Sequence, residues 1–130
     1  MPSIKSEKDK AWLIYSSWRV GPSFCPALKS NVLFTLKGWN HLVRPGGMSK
    51  RTPGDLYRRL KILRFAKEIV EKSTTIQGIK IKNGINYFVL ESVEQVMDKG
   101  LKEFKKIRVI IYKDKAENYK FLSVMPKKTE

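Results

Sequence analysis

The chain reads as an α+β fold, with helices first and a four-stranded antiparallel β-meander after them. Two observations carry that reading. Apolar residues recur at helical spacing over 4–18 and 53–72, and from Ile76 onward they alternate with a period of two. Between two of the alternating runs stands Asn83-Gly84, the strongest short-range hairpin signal. At 130 residues the whole of 1–130 is expected to form one domain, with an N-terminal helix over 4–18 and a core over 24–126.

In the first helix Ala11, Trp12, Tyr15 and Trp18 fall on one face, and Ser6 with Asp9 can cap its start. Trp12 and Trp18 read as core or docking residues, with base stacking as the alternative. Gly21-Pro22 and Pro26 make 21–30 a loop. Cys25 within it reads as a small buried hydrophobe, because no neighbouring base would activate its thiol. Residues 31–37 alternate as a short strand or an extended lead-in, and a helical turn then begins near Thr35 or Gly38. On that turn Trp39 and Val43 share a face while His41 projects elsewhere.

Arg44-Pro45-Gly46-Gly47 ends the turn, and a loop leads to Lys50-Arg51. Thr52-Pro53-Gly54-Asp55 is a helix start: Thr52 caps, Pro53 takes the first position and Asp55 completes a capping-box-like pair. The helix is expected to run unbroken to about Lys72, burying Leu56, Leu60, Leu63, Ala66 and Val70 along one stripe.

Strands follow over 76–82, 85–93, 107–112 and 119–125, the last stopped by Pro126. The lysine-rich segment 94–106 shows only a turn at Asp98-Lys99-Gly100, with a short helix as an option. In the last strand Leu122 and Val124 are expected on one face, with Tyr119, Phe121 and Ser123 on the other. That alternation lets Ser123 face a cleft.

Twenty-seven Lys and Arg against 12 Asp and Glu give a net charge of +15. Such a balance draws a polyanion through counterion release. The segment 44–64 concentrates it, with seven basic residues against one acid. One cysteine excludes an intramolecular disulfide and a cysteine-rich zinc site, and with a single histidine and no acidic cluster no metal or other cofactor is expected. No apolar run reaches the roughly 18–20 residues of a membrane span and no signal-peptide core is visible, so the expected compartment is the cytoplasm, with no membrane partner.

The only histidine, His41, stands beside this basic segment. These residue types suit RNA cleavage without metal, in which the 2′-hydroxyl attacks the adjacent phosphorus. A histidine can move the proton. Arginine and lysine can hold the charge that develops on the phosphate. His41, Lys50, Arg51 and Arg59 supply both types within one stretch, and Ser123 can donate a hydrogen bond to a phosphate oxygen.

The pattern Phe24-Cys25-Pro26, Val32-Leu33-Phe34-Thr35, Gly38-Trp39-Asn40-His41-Leu42, Arg51, Arg59-Leu60-Lys61-Ile62-Leu63 and Phe121-Leu122-Ser123-Val124 resembles the phage-type, colicin D-like nuclease domains of the barnase–EndoU–colicin–RelE (BECR) family. The resemblance covers roughly 24–126. It implies a metal-independent endoribonuclease, often a toxin, acting on tRNA or another RNA. Carried over, His41 is general acid or base, Arg51 and Arg59 are phosphate ligands, and Ser123 is the late-strand donor. Trp39, Arg44, Lys50 and Arg58 are the expected RNA-binding residues around them. The second proton-transfer group stays open among Lys50, Tyr57 and Ser123, or positioning alone serves. An acidic antitoxin or immunity protein is the expected partner. The competing readings are a non-catalytic RNA- or DNA-binding module on the same basic patch, and a partner-binding scaffold using Trp12 and Trp18.

Overall fold

The computed structural model describes residues 4–44, 52–98 and 100–127. The N-terminal stretch forms α1 (Ile4–Trp18), which buries Glu7, Ala11 and Tyr15. Ser6 and Asp9 lie inside this helix and not at its cap. Tyr15 is fully buried, and its hydroxyl donates to the Thr35 carbonyl. Rings gather around it: Trp39 at 5.6 Å, Phe121 at 5.8 Å, Phe34 at 5.9 Å and Trp18 at 6.0 Å between centroids. Such tilted and edge contacts suit the ring quadrupoles.

Two short strands, β1 (Ser23–Cys25) and β2 (Ser30–Leu33), form an antiparallel hairpin where the sequence reads largely as loop. β2 overlaps the short strand expected over 31–37, whereas β1 was not legible because three residues are too few to establish a period. Thr35 then caps α2 (Leu36–Val43), its hydroxyl accepting from the Gly38 N–H at 3.3 Å.

Thr52 caps α3 (Pro53–Ile62), its hydroxyl accepting from the Asp55 N–H at 3.2 Å. The single long helix expected over 53–72 is divided. A 3₁₀ turn at Leu63–Phe65 separates α3 from α4 (Ala66–Lys72). The tighter turn needs neither proline nor glycine, so the composition of the stretch does not announce it. Leu60, Ile62, Leu63, Ala66, Ile69 and Val70 are all buried across the join.

The remaining strands are β3 (Gly78–Lys82), β4 (Ile85–Asp98), β5 (Leu101–Lys113) and β6 (Tyr119–Pro126). Asn83 and Gly84 join β3 to β4 with φ of 52° and 75°, the paired positive values of a type I′ turn. Segment 94–106 is neither loop nor helix. It is the distal half of a long hairpin in which β4 and β5 pair without interruption from Asn86↔Lys113 to Asp98↔Leu101. Lys99 lies outside the described residues.

The sheet is six-stranded and mixed, in the order β1-β2-β6-β5-β4-β3, which corrects the expectation of a four-stranded antiparallel sheet. Its odd seam is β2 against β6, which run parallel with Val32 opposite Tyr119. A second irregularity lies between β5 and β6: Ile110 pairs with Ser123 and Ile111 with Phe121, so Leu122 is an extra residue in a β-bulge. The bulge undoes the simple alternation expected of this strand, and Phe121 and Val124 are both fully buried.

Candidate anion-binding site

The first turn of α3 sets the geometry. Arg59 lies one turn beyond Asp55, and its Nε donates to Asp55 Oδ2 at 3.1 Å and Oδ1 at 3.2 Å. The same guanidinium reaches the sheet. Its Nη1 donates to Ser123 Oγ at 3.0 Å and to the Val124 carbonyl at 3.3 Å. The Arg59 side chain is 13% exposed, and Ser123, beside the bulge, is 1% exposed. Arg59 is therefore a brace between α3 and β6, and the Ser123 hydroxyl lies beneath it as an acceptor. Arg58, next along the helix, is exposed and folds its Nε back to the Gly54 carbonyl at 3.2 Å.

His41 stands on the last turn of α2, half-buried. This helix presses on β6 at Gly38, where an added Cβ would come within 2.5 Å of the Phe121 carbonyl oxygen and 2.8 Å of the Tyr15 hydroxyl. Leu42 is fully buried beside it. His41 and Arg59 thus sit on two helices that both pack on β6. The hydrogen bonds of Arg59 go to Asp55, Ser123 and Val124, and none goes to His41.

The other expected site residues separate. Trp39 is 7% exposed and packed on Trp12 at 5.1 Å, so its indole belongs mainly to the aromatic core. Arg44 is exposed and closes α2, its N–H donating to the Asn40 carbonyl at 2.7 Å. The Tyr57 ring is covered by the Lys61 ammonium at 5.5 Å from its centroid. Lys50 and Arg51 lie outside the described residues.

Between α3 and the strand ends runs a groove of about 640 Å³. Asp55, Arg58 and Arg59 form one wall. The other is built from Glu103–Lys106 of β5 and from Met125, Pro126 and Lys127 at the end of β6. Five of these side chains are cationic and two are acidic, so the groove favours anions. Arg58 and Lys106 take part in no ion pair among the described residues, whereas Lys127 meets Glu91 at 3.3 Å. The wall from β5 was not legible in the sequence, although the density of lysine over 94–106 was a visible sign of a cationic surface.

Glu91 anchors the far side of this wall. Burial pushes its carboxyl up, but hydrogen bonds and charges from Arg108 and Lys127 outweigh that and hold it below the usual carboxylate range. Burial pushes the Cys25 thiol up, which suits a packed side chain and not a nucleophile. Among the described residues no three His, Cys, Asp or Glu side chains gather to hold a metal ion, and no helix is long and apolar enough to cross a membrane. Comparison with protein-family models, curated proteins and solved structures gives no significant match.

Proposed function

We propose that the protein is a metal-independent endoribonuclease acting on tRNA or another RNA, a toxin held in check by an acidic antitoxin or immunity partner. One observation carries this reading: α2, with His41, and α3, with Arg59, both pack on β6, where Arg59 is fixed against Ser123. The helices that carry a proton-moving group and a braced cation therefore lean on one strand, in line with the sequence resemblance to BECR nucleases. His41 takes the proton from the 2′-hydroxyl or delivers one to the departing 5′-oxygen. The 2′-oxygen bonds to phosphorus as the 5′-oxygen leaves, giving a 2′,3′-cyclic phosphate and a free 5′-hydroxyl. Arg59 Nη2, which makes none of the bonds described above, is the donor left for a phosphate oxygen, and Arg51 is a second phosphate ligand as the sequence resemblance implies.

The low exposure and full pairing of the Arg59 Nε and Nη1 favour a second reading, a non-catalytic RNA- or DNA-binding module. Purified protein incubated with tRNA in EDTA separates the two. A cleaving protein that loses activity on His41→Ala, with its fold retained by circular dichroism, supports the nuclease. Salt-sensitive binding without cleavage, equal in wild type and His41→Ala, removes it and leaves the binding module.

A further inference from the structure

β6 stops at Pro126, opposite Ile107, while β5 runs on to Leu101. Among the described residues the last bond on that side is from the Lys127 N–H to the Lys106 carbonyl at 2.8 Å. Beyond it, β4 and β5 continue as a two-stranded ribbon. In antiparallel strands the groups of alternate residues face the same side, so the backbone of Phe104 turns toward the edge that β6 has vacated. Its ring is 76% exposed and lines the cationic groove.

Lysines beside an edge discourage pairing with another chain, and that accounts for Lys102, Lys105 and Lys106. It does not account for a large bare aromatic among them. Phe104 shares the groove with Arg58 and Lys106, both outside any ion pair among the described residues. A bare ring beside cations able to meet phosphate is the arrangement that binds unpaired nucleotides: the ring takes a base face and the cations track the backbone.

We infer that this groove is a single-strand nucleic-acid site, in which Phe104 stacks on a base while Arg58 and Lys106 hold the flanking phosphates. A duplex buries its base faces in its own stack and offers Phe104 nothing to cover. The inference takes its class of ligand from the RNA-directed reading above, but it requires no cleavage.

The test uses the full chain and a fluorescein-labelled oligodeoxyadenylate, followed by anisotropy at low salt. Because this strand lacks the 2′-hydroxyl, failure of the nuclease reading leaves the measurement intact. Phe104→Ala is expected to bind the single strand about ten-fold more weakly, the loss of one base–aromatic stack. Phe104→Trp should restore binding, and the same strand annealed to its complement should be bound equally by all three proteins. Arg58→Ala should lower the salt dependence of binding by about one counterion. Unchanged single-strand affinity in Phe104→Ala, or an equal loss on duplex, overturns the site. So does displacement of the strand by polyglutamate as readily as by unlabelled oligonucleotide, which would mark a general polyanion surface.

Discussion

Arg59 Nη1 lies 3.0 Å from Ser123 Oγ, and this contact joins the start of the second half of the helical region to the last strand of the sheet. The pair is nearly enclosed, with Ser123 at 1% exposure. Removing Arg59 leaves the Ser123 hydroxyl buried without this donor, and removing Ser123 leaves Arg59 Nη1 with the Val124 carbonyl alone. Ser123→Ala and Arg59→Met are each expected to lower unfolding free energy by about 1–3 kcal/mol. The two losses should not add, and a double-mutant cycle on urea denaturation should give a coupling of about 0.5–3 kcal/mol. Simple additivity would show that the bond contributes nothing as a pair.

Gly38 is required by closeness and not by backbone conformation. A methyl group there meets the Phe121 carbonyl oxygen at 2.5 Å, and that backbone atom is held in the sheet. Gly38→Ala is expected to cost about 1–3 kcal/mol through forced separation of α2 from β6. Trimming the second obstacle with Tyr15→Phe should not restore stability, because the carbonyl stays in place. Full rescue in the double variant, read by thermal melting, would assign the clash to the tyrosine hydroxyl instead.

Acid should loosen the sheet through Glu91. Its folded carboxyl titrates below the usual range, because the pull of Arg108 and Lys127 exceeds the opposing effect of burial. Its contribution is therefore complete above the ordinary glutamate value of about 4.3 and is lost as pH falls through the lower folded value. The urea midpoint of the wild type should drop between about pH 5 and pH 3. Glu91→Gln should start lower and show a shallower fall over the same interval.

Among the described residues, the ribbon built from the distal parts of β4 and β5 lacks the flanking strands that protect the rest of the sheet. Gln77 donates to Val89 at 2.8 Å on one side, and Pro126 stands opposite Ile107 on the other, marking where cover ends. Amide hydrogen exchange should therefore be faster over 94–105 than over 107–112 in β5. Equal protection would point to a partner, or a second copy, covering the ribbon.

Much of the frame is legible locally. The aromatic spacing from Ala11 to Trp18 marks α1, Thr52-Pro53 marks the start of α3, and Asn83-Gly84 fixes a hairpin whose two positive φ values only a few residue types accept. Arg59 and Ser123 each stand out in the sequence as phosphate ligands, but the bond that Arg59 donates to Ser123 depends on the packing of α3 on β6 and was not legible. What was not legible depends on partners far along the chain. The parallel pairing of β2 with β6 joins segments far apart in sequence, and Leu122 is a bulge because β5 sets the register. Trp39 shows the same limit. Its helical position was clear, but only the packing of α1 makes its indole part of the core. The lysines of 94–106 hid a strand, because solvent-exposed ribbon residues need no apolar alternation.

The parallel seam between β2 and β6 also fixes an order of events. β6 lies between β2 and β5, yet in sequence it follows every other strand among the described residues. Until Tyr119–Pro126 emerges, the β1–β2 hairpin has no sheet to join, and Phe34 and Tyr15 lack the Phe121 ring they pack on. Assembly of the core must wait for contacts between distant parts of the chain, which slows folding for a sheet of this size. Aromatic residues at the front of the chain stay uncovered during that wait.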